Sequence, residues 1–171
     1  FRKFDHEEMH FVSKYREWEN VSIPFSCVGF FENPFENSRI IKRIVVPKSV
    51  RSLIKYNFAR IPSLESIKIP DSIKILPESL FEGCNSLKTI KIGSETNSLQ
   101  NGIRIGKRIF ADCYSLKEMK LPSGLKRIED GMFYGCKGLE TINFNDGLEK
   151  IGNQAFLGCS SITSIELPSS L

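Results

Sequence analysis

Residues 133–144 read FYGCKGLETINF, and residues 156–167 read FLGCSSITSIEL. The two stretches start 23 residues apart and share an aromatic, a cysteine and several aliphatic positions. Phenylalanine marks the same position along the chain at spacings of 23, 23, 29, 23 and 23 residues: Phe35, Phe58, Phe81, Phe110, Phe133 and Phe156. A fixed period of about 20–50 residues is typical of solenoids, which present extended surfaces. The spacing therefore predicts a repeat fold, with binding rather than catalysis as the expected activity.

Each repeat combines a short strand with a tight turn. Residues 67–69, Ile-Lys-Ile, alternate apolar and polar side chains, which predicts a strand with one face inward. Pro70 follows and ends the strand, because proline has no backbone N–H. The Phe-x-x-Cys-x-x-Leu spacing of residues 81–87 favours a 3₁₀ turn or a single helical turn, in which residues three apart share a face. A single coil has no core of its own, so the coils are expected to stack in parallel.

The full unit, L-x-x-I-x-x-x-x-F-x-x-C-x-x-L-x-x-I-x-I-P, resembles the repeat of the BspA-like leucine-rich repeat family of bacterial and protist surface proteins. Residues 22–171 carry the pattern, and residues 133–139 and 155–162 match it best. The resemblance implies an α/β fold: a right-handed leucine-rich repeat solenoid with short parallel strands on its concave face and short helical or 3₁₀ turns opposite. It also implies protein binding and adhesion, with no catalytic residues. The location stays unknown: the resemblance favours the cell surface or secretion, and a cytoplasmic location stays open.

The chain divides into a short N-terminal segment, residues 1–20, and a solenoid, residues 21–171. Aromatic residues of the first segment are spaced by seven, four and three, which predicts one face of a capping helix: Phe4, Phe11, Tyr15 and Trp18. Alternatively, the segment is a degenerate first repeat, because Val12 lies 23 residues before Phe35. At the other end, residues 164–171 begin a further repeat, which predicts a truncated or open edge that invites self-association.

An insertion of six residues lengthens the repeat between Phe81 and Phe110. Residues 95–102 are polar apart from one leucine, which predicts a loop that bulges from the end of a strand. Loops on a rigid scaffold often carry function, whereas solenoid corners also tolerate insertions without functional consequence. The sequence leaves both interpretations open.

Composition sets further bounds on the fold and on the partners. A chain of 171 residues with 40% hydrophobic content can bury a sizeable core as one elongated domain. The formal net charge of +4 is too small to indicate nucleic-acid binding, which needs a concentrated basic stripe. No run of about 18 apolar residues occurs, so the sequence predicts no transmembrane segment.

Four of the five cysteines share one inward position, three residues after a phenylalanine: Cys84, Cys113, Cys136 and Cys159. Stacked coils would place neighbouring Cα atoms at a separation that a disulfide tolerates, but the Cβ vectors would run parallel. We therefore expect buried free thiols that pack as small hydrophobic side chains.

Residues 6–10, His-Glu-Glu-Met-His, match the H-E-x-x-H motif of zinc proteases. That spacing places two histidines on one helix face as zinc ligands, with the glutamate as general base. Ser13 and Arg16 exclude the extended form of the motif, and a zinc hydrolase built on His6, Glu7 and His10 would lack the sequence for its sheet and cleft. We interpret the histidines as exposed residues of a capping helix. Because neither histidine lies in the repeats, a histidine-based general acid or nucleophile activator is excluded there. We expect no enzyme, cofactor or metal.

Lysines recur on the solvent side of the predicted strands and are the candidate partner-binding residues. They lie seven or ten positions after a phenylalanine: Lys68, Lys88, Lys91, Lys117 and Lys120. Like charges on adjacent strands repel, and a binding face tolerates them when an anionic partner neutralises them. The sequence therefore predicts an acidic protein or glycan on the concave face. The other interpretation is a solvated lysine-rich face that resists edge pairing. Nucleic acid is not expected, because no aromatic side chains interleave with the lysines.

Two non-enzymatic functions are consistent with these features. The leading prediction is a protein-binding module for adhesion or host-surface recognition through the concave strand face. The alternative is an intracellular scaffold or regulatory subunit that docks an enzyme on the same face.

Overall fold

The structure is a computed structural model that describes residues 18–30, 32–92, 95–96, 102–122 and 124–171. The predicted capping helix or degenerate repeat at residues 1–20 therefore lies outside the described residues, apart from its last three positions. The same holds for most of the predicted loop at residues 95–102.

The described residues form short strands and turns. The strands are β1 (Asn20–Ser22), β2 (Arg43–Val45), β3 (Ser66–Ile69), β4 (Ile75–Leu76), β5 (Thr89–Ile92), β6 (Glu95–Thr96), β7 (Arg104–Ile105), β8 (Glu118–Lys120), β9 (Arg127–Ile128), β10 (Thr141–Asn143) and β11 (Lys150–Ile151). Their side chains alternate between core and solvent, as in β3, where Ile67 and Ile69 are buried and Lys68 is exposed. The alternation that the sequence predicts for this strand is confirmed.

Parallel pairing between successive coils builds the solenoid. Strands β1, β2, β3 and β5 are hydrogen-bonded in that order, and β8 pairs with β10. A second set of short parallel pairs, β4 with β7 and β9 with β11, connects the coils on another side. We call the solvent side of β1, β2, β3, β5, β8 and β10 the strand face. The predicted parallel-strand solenoid is therefore confirmed.

The insertion interrupts the strand ladder but not the core. Strand β6 pairs antiparallel with β5 and occupies the edge at which β8 would otherwise follow. Across the same step the ring centroids of Phe81 and Phe110 are 5.7 Å apart, and the N–H of Phe81 donates to the carbonyl of Ile109 at 3.0 Å. The coils therefore stay stacked through their core while the two parts of the strand face separate.

The turns opposite the strands contain no helix in the described part of the chain, so the predicted helical or 3₁₀ segments are not confirmed. The turn at Phe35 has one residue with a left-handed φ and each later turn has two, with values of 52° to 83°. One lies two positions before the phenylalanine: Tyr56, Ser79, Arg108, Gly131 and Gln154. The other lies two positions after it: Asn37, Arg60, Gly83, Asp112, Gly135 and Gly158. A left-handed residue interrupts the right-handed run that a helix needs, so the spacing of three belongs to single hydrogen-bonded turns.

Bonds to the next coil explain these left-handed residues. The N–H groups of Arg108, Phe110 and Asp112 donate to carbonyls of the following coil at 3.0, 3.0 and 2.7 Å. The same three bonds recur one coil earlier, where the N–H groups of Ser79, Phe81 and Gly83 donate to carbonyls of the following coil at 2.9, 3.0 and 2.8 Å. Every second backbone N–H of the turn therefore points toward the following coil. The hydrogen bonds that result offset the strain of positive φ in residues other than glycine.

The core is a continuous stack of phenylalanine rings. Successive ring centroids lie 5.5 to 6.4 Å apart, with interplanar angles of 4° to 21°. The first five rings of the stack are buried, and Phe156 in the last coil is partly exposed. Each of the four inner rings therefore stacks on the ring of the coil before it and on that of the coil after it, so the stack connects the coils through the core.

The cysteine position has a role beyond packing. Each thiol donates to the carbonyl of the phenylalanine in the preceding coil, as from Cys84 to Phe58 at 2.9 Å and from Cys136 to Phe110 at 3.0 Å. The prediction of free thiols is confirmed, and four of the five cysteines are buried. Burial raises the pKa of the Cys84 thiol to about 12 and that of Cys159, at the more open end, to about 11.

Candidate interaction surface

Charged side chains at the edge of the strand face pair across successive coils. Lys42 Nζ lies 2.7 Å from Glu19, and Lys88 Nζ lies 3.5 Å from Glu65. Beyond the insertion, Lys117 Nζ lies 2.9 Å from a glutamate one repeat later. The hydrogen bonds to these glutamates raise the pKa of Lys42 and of Lys117. Exposed pairs of this kind contribute little to stability because solvent screens them, so their main effect is to neutralise charge at this edge.

The order of these charges changes at the insertion. The position seven residues after a phenylalanine alternates in sign from coil to coil until two lysines follow one another at the insertion. From one repeat before Lys42 to the coil of Phe133, the residues are Glu19, Lys42, Glu65, Lys88, Lys117 and Glu140. Lys88 and Lys117 both line a groove of about 510 Å³ beside the interrupted ladder. The side chains of Tyr114, Glu118 and Glu140 line the same groove, so it carries charges of both signs.

The structure places the five candidate lysines in different surroundings. Lys68 and Lys91 are direct register neighbours on β3 and β5. Lys120 lies on β8 opposite Asn143 of β10, in the separate two-stranded sheet. Both Lys91 and Lys120 lie ten residues after a phenylalanine, but they are not register neighbours, because Thr96 of β6 takes the position beside Lys91. The structure therefore brings together one pair of the five lysines on hydrogen-bonded strands.

Lys68 and Lys91 also differ from the edge lysines in their charge environment. Neither makes an ion pair with any of the described residues, whereas Lys88 and Lys117 each have a glutamate partner. Lys68 is exposed and Lys91 is partly exposed. On β2, Val45 lies beside Lys68 in register, and Arg43 is exposed on the same strand. We call Lys68 and Lys91 the strand-face lysines.

Sequence reasoning missed two features of this surface. It did not include Arg43, whose position eight residues after Phe35 carries serine and threonine in the next two coils. It also did not recognise that lysines seven residues after a phenylalanine face glutamates one repeat away. The alternation of lysine and glutamate seven residues after successive phenylalanines could have indicated these ion pairs.

Neither a metal centre nor a membrane span is found among the described residues. No group of three or more histidine, cysteine, aspartate or glutamate side chains is placed to hold a metal ion there. The motif of His6, Glu7 and His10 lies outside the described residues, so the structure does not test it. Within the described ranges, no helix has the length and apolar character needed to cross a bilayer.

The edge formed by the last coil carries exposed apolar side chains in the structure. Residues 163–167 form no strand, and the side chains of Leu157, Leu167 and Leu171 are about half exposed. In earlier coils the turn N–H groups donate to the next coil, and the corresponding N–H of Phe156 has no such acceptor in the described chain. Self-association through this edge stays a prediction.

The sequence profile of the BspA type leucine rich repeat region matches six copies over residues 9–103 and 98–171. The chain belongs to this family. This BspA-type chain also shares its fold with a leucine-rich repeat protein from Bacteroides ovatus, with 30% identity and a TM-score of 0.72 over 90% of the chain and 38% of that protein. The leucine-rich repeat protein of T. pallidum is 27% identical, with a TM-score of 0.70 over 84% of the chain and 64% of that protein.

A third solved structure, the pneumococcal vaccine antigen PcpA, is 20% identical and has a TM-score of 0.55 over 90% of the BspA-type chain and 51% of the antigen. At this identity the likeness supports the fold alone. The chain spans less than two thirds of the length of each of the three proteins. No match was found among curated proteins.

Proposed function

We propose that this BspA-type chain is a non-enzymatic protein-binding module whose strand face recognises an acidic surface. The observation that carries the proposal is the pair of strand-face lysines, Lys68 and Lys91, in register on adjacent strands without an ion-pair partner among the described residues. Like charges directly opposite one another destabilise a sheet. An acidic partner would neutralise both charges, and would also be steered to the face by them.

Surface recognition or adhesion is the setting that the family favours for this binding. Solenoids of this kind offer an extended row of side chains that the core does not use. Lys88, Lys117 and Lys120 extend the proposed contact along the face, but the first two are already neutralised by glutamates. We therefore expect the strand-face lysines to contribute most of the electrostatic attraction, with an acidic protein surface preferred and an acidic glycan as the other partner type.

Reversal of both strand-face charges is expected to weaken partner binding at least tenfold, about 1.4 kcal/mol. The test is capture of partners from host-surface preparations and cell extracts by wild type and by Lys68→Glu/Lys91→Glu, followed by affinity measurement on the captured protein. The matched control is Lys74→Glu/Lys150→Glu, which changes two exposed lysines elsewhere. Each lysine-to-glutamate substitution lowers the net charge by two, so both double variants change the formal net charge from +4 to zero.

The control separates a local contact from a general charge effect. If the strand face is the binding site, the control binds as wild type does and the Lys68/Lys91 variant does not. Equal affinity of wild type and the Lys68/Lys91 variant contradicts the proposal. An equal loss in both variants also contradicts it, because it would reflect net charge alone.

A further inference from the structure

A groove beside the first coils has an apolar lining and is distinct from the strand face. Its volume is about 890 Å³, within the range of about 300–1,000 Å³ that is typical of ligand pockets. The apolar side chains that line it come from the first coil and from the coil after it: Phe25, Val28, Phe30 and Ile54. We call this feature the lateral groove.

Two of these apolar residues are not required by the repeat. Phe25 directly follows Pro24, the proline at the end of the first strand. At the equivalent position of later coils, the residues that the structure describes are polar: Lys48, Asp71, Asp146 and Ser169. Val28 lies seven residues before a phenylalanine. Four later coils carry a charged residue at this position: Arg51, Lys74, Lys126 and Glu149. The exception is Ile103, in the coil after the insertion. The fold therefore forms without an apolar side chain at either position.

Phe25 is the most exposed large hydrophobic residue of the described chain, with 75% of its surface accessible. Ile54, which also lines the lateral groove, is 40% exposed. Exposed apolar side chains that converge on a concavity, unlike isolated ones, are typical of an interaction site. The lateral groove thus offers an apolar contact that the core does not use.

The charge around the lateral groove favours an acidic ligand. Lys48 and Arg51 line it, and neither makes an ion pair with the described residues. Asp71 is the acidic side chain among the lining residues. On the neighbouring turns, by contrast, Lys55 pairs with Glu78 across the coils. Two unneutralised cations against one carboxylate leave the groove with an excess of positive charge.

Two serine hydroxyls in the lining lack a hydrogen-bond partner. The Oγ atoms of Ser49 and Ser72 are shielded from solvent, and no partner is found for them in the described chain. The equivalent Ser170 in the last coil donates from Oγ to the carbonyl of Leu148 at 2.6 Å. A buried hydroxyl without a partner costs free energy, and a serine hydroxyl can both donate and accept a hydrogen bond.

We propose that the lateral groove binds an extended acidic peptide segment that carries one bulky apolar side chain. The apolar side chain packs between Phe25 and Ile54, the flanking carboxylates face Lys48 and Arg51, and backbone groups of the peptide bond with the two serine hydroxyls. This contact adds a second binding surface to the strand face, and it does not depend on the strand-face lysines, which do not line the lateral groove.

The probe is a fluorescent nonapeptide with four glutamates on each side of a central phenylalanine, titrated with the full chain in about 0.15 M salt. The control peptides replace phenylalanine by serine, or all glutamates by lysines. We expect the first peptide to bind at least tenfold more tightly than either control. Phe25→Ser and Arg51→Glu should each weaken its binding at least tenfold, and Lys150→Glu, which matches Arg51→Glu in charge, should not.

Phe25→Ser is expected to fold normally, because polar residues occupy this position in other coils, and an unchanged urea unfolding transition checks this. The proposal is overturned if no peptide binds, if the serine peptide binds equally well, or if Phe25→Ser binds as wild type does. A concentration-dependent dimer that Phe25→Ser abolishes, without peptide binding, would identify a second copy as the occupant and also overturn it. Failure of the peptide assay leaves the capture test of Lys68→Glu/Lys91→Glu unaffected.

Discussion

Replacement of Phe110 by alanine is expected to lower the free energy of unfolding by about 4 kcal/mol. Phe110 is fully buried, and its ring centroid lies 5.7 Å from that of Phe81 and 5.6 Å from that of Phe133. The substitution therefore opens a cavity between three coils and removes two stacked aromatic contacts. Because coils are stabilised by their neighbours, loss of the ring also weakens the coupling across the insertion, where the strand ladder is already interrupted.

Urea unfolding of wild type, Phe110→Ala and two comparison variants provides the measurement. Phe156→Ala should cost less than Phe110→Ala, since Phe156 is partly exposed. Phe25→Ala should change the free energy of unfolding by less than about 0.5 kcal/mol, because that side chain is mostly in solvent. A cost for Phe110→Ala no larger than that of Phe25→Ala would show that the phenylalanine stack does not hold the coils together.

Above pH 9 the free energy of unfolding is expected to fall steeply, because the stacked thiols resist ionisation in the folded state. Burial raises the pKa of Cys84 from 9.0 to about 12, and it also raises the pKa of Cys113 and of Cys136. Below pH 9 the thiols are protonated in both states, so their contribution is fully present. Above pH 9 the unfolded chain releases protons that the folded chain keeps, and stability is lost as pH rises toward the folded pKa.

Once the unfolded thiols are ionised, each thiol that stays protonated in the folded chain removes about 1.4 kcal/mol of stability per pH unit. Urea midpoints at pH 8.5, 9.5 and 10.5 under reducing conditions measure this slope. Cys84→Ala should reduce the slope by about 1.4 kcal/mol per unit. The matched control is Ile61→Ala, which empties the same position one coil earlier without removing a thiol and should leave the slope unchanged. Identical slopes for wild type and Cys84→Ala would contradict the prediction.

The strand positions and the core could be predicted because the same apolar positions recur in every repeat. Ile67 and Ile90 lie opposite each other on adjacent strands, as the alignment of repeats requires. The stack of phenylalanines follows from the same alignment, since a side chain at one position of a regular coil meets its equivalent in the next coil. Periodicity of this kind is a local signal, and it survives individual departures such as Ile61 in the cysteine position.

The turn conformation could not be predicted from spacing. A period of three is compatible with a helix, and only the left-handed backbone of the turn excludes one. Gly83 and Gly135 give some indication of it, but the equivalent residue is Arg60 or Asp112 in other coils. Those residues adopt positive φ because their N–H groups bond to the next coil, at 2.6 Å for Arg60 and 2.7 Å for Asp112. The cause is a tertiary contact, which a single repeat does not reveal.

The relative placement of the candidate lysines could be predicted in part. The repeat alignment places Lys68 beside Lys91, and the structure has them in register. It also places Lys91 beside Lys120, but that arrangement fails because β6 folds back onto β5. An insertion can loop out of a ladder or add a strand to it, and its own polar sequence does not distinguish the two. The lateral groove was not predicted, although Phe25 at an otherwise polar position was a visible signal.

Lysine footprinting is the most direct test of the proposal that the strand face binds the partner. The chain is labelled with an amine-reactive reagent in the presence and absence of the captured partner, and labelled sites are counted by mass spectrometry. Binding at the strand face predicts that labelling of Lys68 and Lys91 falls several-fold, while labelling of Lys74 and Lys150 is unchanged. Unchanged labelling of Lys68 and Lys91, with protection of Lys74 or Lys150 instead, would contradict the proposal.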